Sequence, residues 1–284
     1  MFAAGECRIS YGIDATTRRI VAVRSERTHR GLKQVTVLDH AGPADASSAA
    51  ALARMRDEAQ AGCAGVSACM PSHESLTRWI RTPLASLAKA RKVLPSMLDI
   101  QLPFPIESCS CEFVHVARNA AGTVDALGVA ARREDIERRL ALLEDLGVSA
   151  DRLDHEGLAL WARSVAEVPP ERQAVRIVAC LGEQHAVLVV GQGPEYIASH
   201  GIRMGLDELH GGPDRARLFA QRARQVLLSL PPSPADTTVL WLWTGPGADP
   251  TLTGHLQAAL DGVGSLRFAM HDRPAEFLAR ALSA

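Results

Sequence analysis

The chain is poor in lysine: of its 31 basic residues, only Lys33, Lys89 and Lys92 are lysines, and arginine supplies the rest. That removes most candidates for a lysine nucleophile or a lysine gripping a terminal phosphate. A formal net charge of -1 gives no global drive toward nucleic acid or an anionic surface. No apolar run approaches the roughly 20 residues that cross a bilayer, and the opening residues lack a signal-peptide pattern. The expectation is a cytosolic protein that does not insert into the membrane and takes no nucleic-acid partner. The six cysteines, at 7, 63, 69, 109, 111 and 180, form no C-x-x-C pair, and no histidine stands at finger spacing. They read as reduced thiols with no metal role, although Cys109 and Cys111 would share one face of a strand. G-x-S-x-G, H-E-x-x-H and G-x-x-x-x-G-K-[ST] are all missing. Asp154, His155 and Glu156 are consecutive, and neighbours on a helix do not share a face, so they form no relay among themselves. No residue set nominates an enzyme.

What is present reads as a soluble α/β protein of two lobes: 284 residues, 47% apolar and 22% charged. "YGIDATTRRIVAVR" gives strand, polar turn, strand, with Asp14 at the first strand end. A strand at "KQVTVLDH", a helix capped by Asp45 and a buried strand at "GVSACMP" follow. Next comes a small α/β unit: a helix that Pro95 kinks or ends, extended backbone around Pro103 and Pro105, two strands, and the amphipathic "RREDIERRLALLEDLG". In that helix Ile136, Leu140 and Leu143 share a face, and Gly147 stops it. After the "VPPERQ" joint, "AVRIVACLGEQHAVLVVGQGPEYIASHGI" repeats the hairpin plan, and a helix spans 213–230. "TTVLWLWTGPGADPTLTGHLQAAL" adds a strand, a glycine turn and a helix near Pro250, before a last strand and helix. The lobes are therefore placed at 1–170, with the inserted α/β unit at about 76–152, and at 171–284.

The candidate positions leave alternatives open at this point. Asp14 either bonds the amides of its own turn or contacts phosphate or metal. Gly245 and Gly247 in "WTGPGAD" punctuate a turn or form a shelf for a ligand. Trp161, Trp241 and Trp243 read as core, while Trp79 in "LTRWIR" serves either packing or a partner surface. The arginines between 215 and 224 form a solvated helix face or an anion patch.

The ordered series of segments resembles the actin-like ATPase superfamily, which has a ribonuclease H-like two-lobed α/β fold. Within it, the chain is similar to PilM-type proteins of type IV pilus assembly and to GspL-like cytoplasmic domains of type II secretion. The matching stretches are "DATTRRIV", "ACMPSHESLTRWIRTPL", "QLPFPIESCSCEFVHV", "DALGVAARREDIERRLALLEDLGVSADRLDHEGLAL" and "IVACLGEQHAVLVVGQGPEYIASHGIRMG". The resemblance implies a small subdomain in lobe 1 and a nucleotide site at Asp14, Thr16, Thr17, Cys180, Gly182, Gly245 and Gly247. That site departs from the family pattern. Thr16 stands where a phosphate turn uses glycine, Cys180 replaces an aspartate, and Glu183 puts negative charge beside Gly182. Only about thirty residues, 207–236, replace a sizeable subdomain, so lobe 2 is short.

The resemblance then implies a non-catalytic scaffold, a degenerate ATPase with no cofactor expected and with ATP and magnesium disfavoured. It would sit at the inner face of the bacterial inner membrane. There it would bind the N-terminal cytosolic tail of a single-span PilN-like protein, with a cytoplasmic pilus or secretion ATPase as a further partner. The tail would lie in a groove between the first lobe and its insert, lined by residues from about 76 to 131, with Trp79, Arg81, Phe104 and Phe113 as first candidates. The alternative is an active ATP-binding actin-like protein: an ATPase, a kinase or a filament former.

Overall fold

The computed structural model describes residues 9–16, 18–42, 44–62, 64–169, 171, 174–209, 212–228, 238–244, 254, 266–270 and 274–284. Strands β1 (Ile9–Ala15), β2 (Arg19–Thr28) and β3 (Gly31–Ala41) form an antiparallel meander. Helix α1 (Ala46–Gln60) then carries the chain to β4 (Ala64–Met70), which runs parallel to β1. Asp45 caps α1 by accepting from the Ser47 and Ser48 amides, while the Ser48 hydroxyl accepts from the Asp45 amide.

The inserted unit follows, with β5 (Ser75–Arg81), α2 (Leu87–Asp99), β6 (Cys109–Arg118), β7 (Val124–Arg132) and α3 (Arg133–Asp145). Its antiparallel sheet has the order β5-β7-β6, and α2 packs across one face over Ile80, Ala126 and Phe113. Pro95 does not end α2, which runs on to Asp99. A proline removes only one helical N–H, and the fully buried Leu94 and Leu98 hold the turns on either side of it. On α3 the buried stripe is Asp135, Arg139 and Leu143, not the expected Ile136, Leu140 and Leu143. Ile136 and Leu140 are only half-buried and face a groove.

β8 (Arg152–His155) returns to the first sheet, parallel to β4, completing the order β3-β2-β1-β4-β8. α4 (Glu156–Glu167) then leads to β9 (Val175–Leu181), β10 (Ala186–Gln192) and β11 (Glu195–Ile202), a second antiparallel meander. After α5 (Leu206–Leu209) and α6 (Pro213–Leu228), β12 (Thr238–Thr244) and β13 (Leu266–Met270) add in parallel, followed by α7 (Pro274–Leu282). The second sheet has the order β11-β10-β9-β12-β13, the same plan as the first. Strand β10 is apolar almost throughout because both its faces are covered. Leu188 and Val190 join the α6 side, whereas Val187 and Val189 join the α4 side.

Two helices tie the lobes together. α4 packs on β10, and α7 crosses back to β1 and β2 of the first sheet. Both crossings depend on glycine. A Cβ at Gly12 would fall 2.0 Å from the Ala279 carbonyl oxygen, and one at Gly191 would fall 2.2 Å from the Trp161 ring. One apolar cluster consequently mixes Cys69 and Leu127 of the first half with Val178, Val189 and Phe277. Among the described residues, no helix is long and apolar enough to cross a membrane.

Candidate functional site

The ends of β1 and β9 lie near each other, so the hairpin turn of each lobe borders one buried interlobe junction, where the Asp14, Cys180, Glu156 and His185 side chains interact. In the first turn the Thr16 amide donates to the Arg19 carbonyl at 2.7 Å. The Thr16 hydroxyl accepts from the Arg18 and Arg19 amides at 3.2 and 3.0 Å. Thr16 therefore satisfies the turn amides, a role the sequence reading offered to Asp14. The amides of Thr16, Arg18 and Arg19 thus all have partners within the turn. The second turn is closed as well: Gly182 donates to His185 at 2.9 Å, while its carbonyl accepts from Leu206 at 2.9 Å. Thr17, Gly245 and Gly247, and the helix expected near Pro250, lie outside the described residues.

Between the turns sits a cluster of ionisable side chains drawn from four segments. Burial pushes the Asp14 carboxyl up, and Arg139 opposes that shift. Arg139 itself reaches in from α3, donating its Nε to the Cys69 carbonyl at 2.9 Å and an Nη to the Ala15 carbonyl. It thereby clamps the inserted unit to the ends of β1 and β4. Burial likewise drives the Cys180 thiol well up, with the Glu156 and Asp14 charges adding to the shift. A neutral thiol thus occupies the position that the resemblance gives to a magnesium-organising carboxylate.

Glu156 opens α4 and lies 4% exposed. One carboxyl oxygen accepts from the Ser72 amide at 2.7 Å, and the other meets His185 Nε2 at 3.0 Å. Burial alone would raise this carboxyl, but His185 and the Ser72 amide outweigh it and hold it at about 2. Burial would lower His185, yet Glu156 more than compensates, so its imidazole is raised. A carboxylate–imidazole pair, in which Glu156 favours the protonated ring, therefore bridges lobe 1 to lobe 2. The His73 ring lies 4.5 Å from the His185 ring, and burial lowers His73. At the rim, Arg18 pairs with Asp207, a second ionic link between the lobes. This arrangement fastens the lobes to each other, and its charges are matched internally.

Arg139 and His185 escaped the sequence reading, and Glu156 entered it only as a neighbour of Asp154 and His155. The one available signal was Arg139, an arginine at i+4 from Asp135 and i-4 from Leu143, the stripe α3 buries. Nothing local links Glu156 to His185, 29 residues apart.

A second concavity lies between the first lobe and its insert, with a volume of about 650 Å3. Val114 of β6, Val129 of β7, and Ile136 and Leu140 of α3 form one wall, while Leu153, Leu158 and Ala159 form the other. Glu112, Arg152 and Asp154 supply polar groups. Trp79 and Arg81 do not line it: they border a separate 240 Å3 pocket with Ile80 and Asp125. Trp79 is 41% exposed, yet its indole N–H donates to the Tyr196 carbonyl at 3.3 Å, holding β5 against β11. Phe113 points to the opposite face of the insert sheet, beneath α2, and Phe104 is half-buried in the loop after α2. The strand period explains the split, since Ser110, Glu112 and Val114 alternate with Cys111 and Phe113 along β6.

Two five-stranded sheets on one plan, each with a hairpin ending at the interlobe junction, with α4 packed on β10 and α7 on β1 and β2, make the actin-like ATPase fold. The comparisons agree. The chain is similar to a solved structure titled "PilM-PilN type IV pilus biogenesis complex", at 18% identity and a TM-score of 0.69, covering 96% of this chain and 97% of that one. It is also similar to the cytoplasmic domain of EpsL, an inner membrane component of the type II secretion system of Vibrio cholerae, at 12% identity and TM-score 0.57 over 96% and 94% of the two chains. A Bacteroides thetaiotaomicron protein of actin-like ATPase fold and unknown function matches at 9% identity and TM-score 0.55, over 99% and 98%. No family model matches the chain, and no curated protein matches its sequence.

Proposed function

We propose that this chain is a non-catalytic scaffold of a type IV pilus or type II secretion assembly platform, docked at the inner face of the inner membrane. Its groove takes the extended N-terminal cytosolic tail of a single-span, PilN-like membrane protein, and a cytoplasmic pilus or secretion ATPase is a further partner. The observation that carries this reading is the groove itself, largely apolar, with polar groups that can orient a main chain, in a fold similar end to end to that of a chain from a PilM–PilN complex. Titration of the protein with a synthetic PilN-like N-terminal peptide tests it. Val114→Asp and Leu140→Asp are each expected to weaken binding by about tenfold or more, because each puts a charge into an apolar wall. Trp79→Ala is expected to leave affinity unchanged, since Trp79 lies off the groove. Equal affinity for all three variants and the parent protein would remove the groove assignment.

The same reading assigns no cofactor to the interlobe cleft. The pairing of Glu156 with His185 and the closure of both turns support it, as does a thiol at Cys180. Calorimetric titration with ATP and magnesium is expected to give no binding heat up to millimolar nucleotide. Micromolar affinity that is lost in Asp14→Ala would instead support the active ATP-binding alternative.

A further inference from the structure

Helix α2 forms the outer layer of the inserted unit, with Ala90, Leu94 and Leu98 facing inward at helical spacing. Its opposite face carries Lys89, Lys92, Val93, Ser96 and Ile100, at i, i+3, i+4, i+7 and i+11, with Arg91 on the flank; the helix's one acid is Asp99 in the last turn, whose carboxylate accepts from the Ile106 amide at 3.3 Å. Two features coincide there. Two of the three lysines in the whole chain lie within one turn of α2. None of Lys89, Arg91 and Lys92 makes an ion pair with any described residue, a state they share with scattered cations such as Lys33, Arg54 and Arg118, but on α2 three of them are clustered within four residues. The same helix also holds Leu87, Val93 and, at its C-cap, Ile100, which is 85% exposed. Its first turn contains no acidic residue.

Unpaired cations beside exposed aliphatic side chains match an anionic lipid surface, where headgroups neutralise the charge and the aliphatic groups enter the headgroup–acyl boundary. Lysine suits this face, because its flexible stem lies along apolar surface while its ammonium stays with the phosphates. We infer that the α2 face is a docking surface for acidic phospholipid headgroups, holding the protein peripherally on the membrane without a spanning segment. The groove lies on the other side of the insert sheet from α2, so lipid contact leaves it open to a peptide.

Co-sedimentation of the full chain with phosphatidylcholine vesicles, with and without phosphatidylglycerol, tests the inference. Binding is expected only to the anionic vesicles, and it should fade as salt shortens the Debye length below its value of about 10 Å at 0.1 M. Each cation near an anionic surface is worth about fivefold in partitioning, so Lys89→Ala with Lys92→Ala is expected to reduce binding by roughly 25-fold. Ile100→Ser should weaken it further, with circular dichroism and peptide affinity at the groove unchanged. Sedimentation that is absent, equal with both vesicle types or indifferent to the lysine substitutions would overturn the inference. So would binding of polyglutamate by a protein that ignores anionic vesicles, which would assign the face to an acidic protein segment. Retained peptide affinity in the lysine variant separates a failure here from a failure of the groove assignment.

Discussion

Replacing Glu156 by alanine is expected to cost about 3–5 kcal/mol of folding stability, because it strands His185 in the interlobe cleft without its counter-charge. It also leaves the Ser72 amide without its carboxylate acceptor. In a His185→Gln background the same substitution is expected to cost much less, since the charge it would strand is already gone. Urea denaturation of the four proteins measures this coupling. The sign of its pH dependence follows from the two groups. Glu156 is held at about 2, so its contribution is full above the ordinary carboxylate value of 4.5 and is lost as pH falls toward 2. His185 is raised, so its contribution is full below 6.5 and is lost as pH climbs through its raised value. The coupling therefore peaks between pH 4.5 and 6.5 and shrinks in alkali. A coupling that grew at alkaline pH, or single substitutions that simply added, would refute the bridge.

Acid destabilisation that begins near pH 6.5 is the second expected result, and its source is His155. Burial lowers this imidazole from 6.5 to about 4, with Glu156 opposing the shift. Its Nδ1 accepts from the Leu158 amide at the start of α4, while Nε2 is buried without a hydrogen-bond partner. Below pH 6.5 the unfolded chain binds a proton that the folded protein refuses, so stability falls by about 1.4 kcal/mol per pH unit. The loss reaches about 3 kcal/mol by pH 4. His73 is lowered as well and contributes with the same sign, whereas His185 is already charged over this range. His155→Asn keeps a capping acceptor but does not titrate. It is expected to flatten the dependence of the urea midpoint on pH between 6.5 and 4.5. An unchanged slope would clear His155.

The junction between the two hairpin turns is held by the protein's own side chains. The Thr16 hydroxyl accepts from the Arg18 and Arg19 amides and so closes the first turn. His185 brings a cation from the protein itself to the neighbourhood of Asp14 and Glu156.

Period and punctuation already mark much of the architecture in the amino-acid sequence. The alternation on both sides of Asp14, its echo on both sides of Gly182, and the Asp45 cap are local properties of consecutive residues. They place the two meanders and the α/β unit between them. Of the two alternatives for Pro95, ending the helix fails because proline's cost is local, whereas the burial of Leu94 and Leu98 that outweighs it is tertiary. The α3 face misled for a related reason: hydrophobicity ranks Ile136 and Leu140 above Arg139, but only the fold presents Arg139 with the Cys69 and Ala15 carbonyls that make its burial favourable. Trp79 and Phe113 were selected by residue type, and it was the pairing of β5, β7 and β6 that decided which side of the sheet each would face.

By itself, then, the sequence determined the paired α/β lobes, the inserted unit and the absence of the usual catalytic motifs, since these follow from spacing and residue type along the chain. Only the tertiary structure decided that Glu156 meets His185, that Arg139 clamps the insert and that the groove belongs to Val114 and Leu140, because each is a meeting of segments that share no local signal.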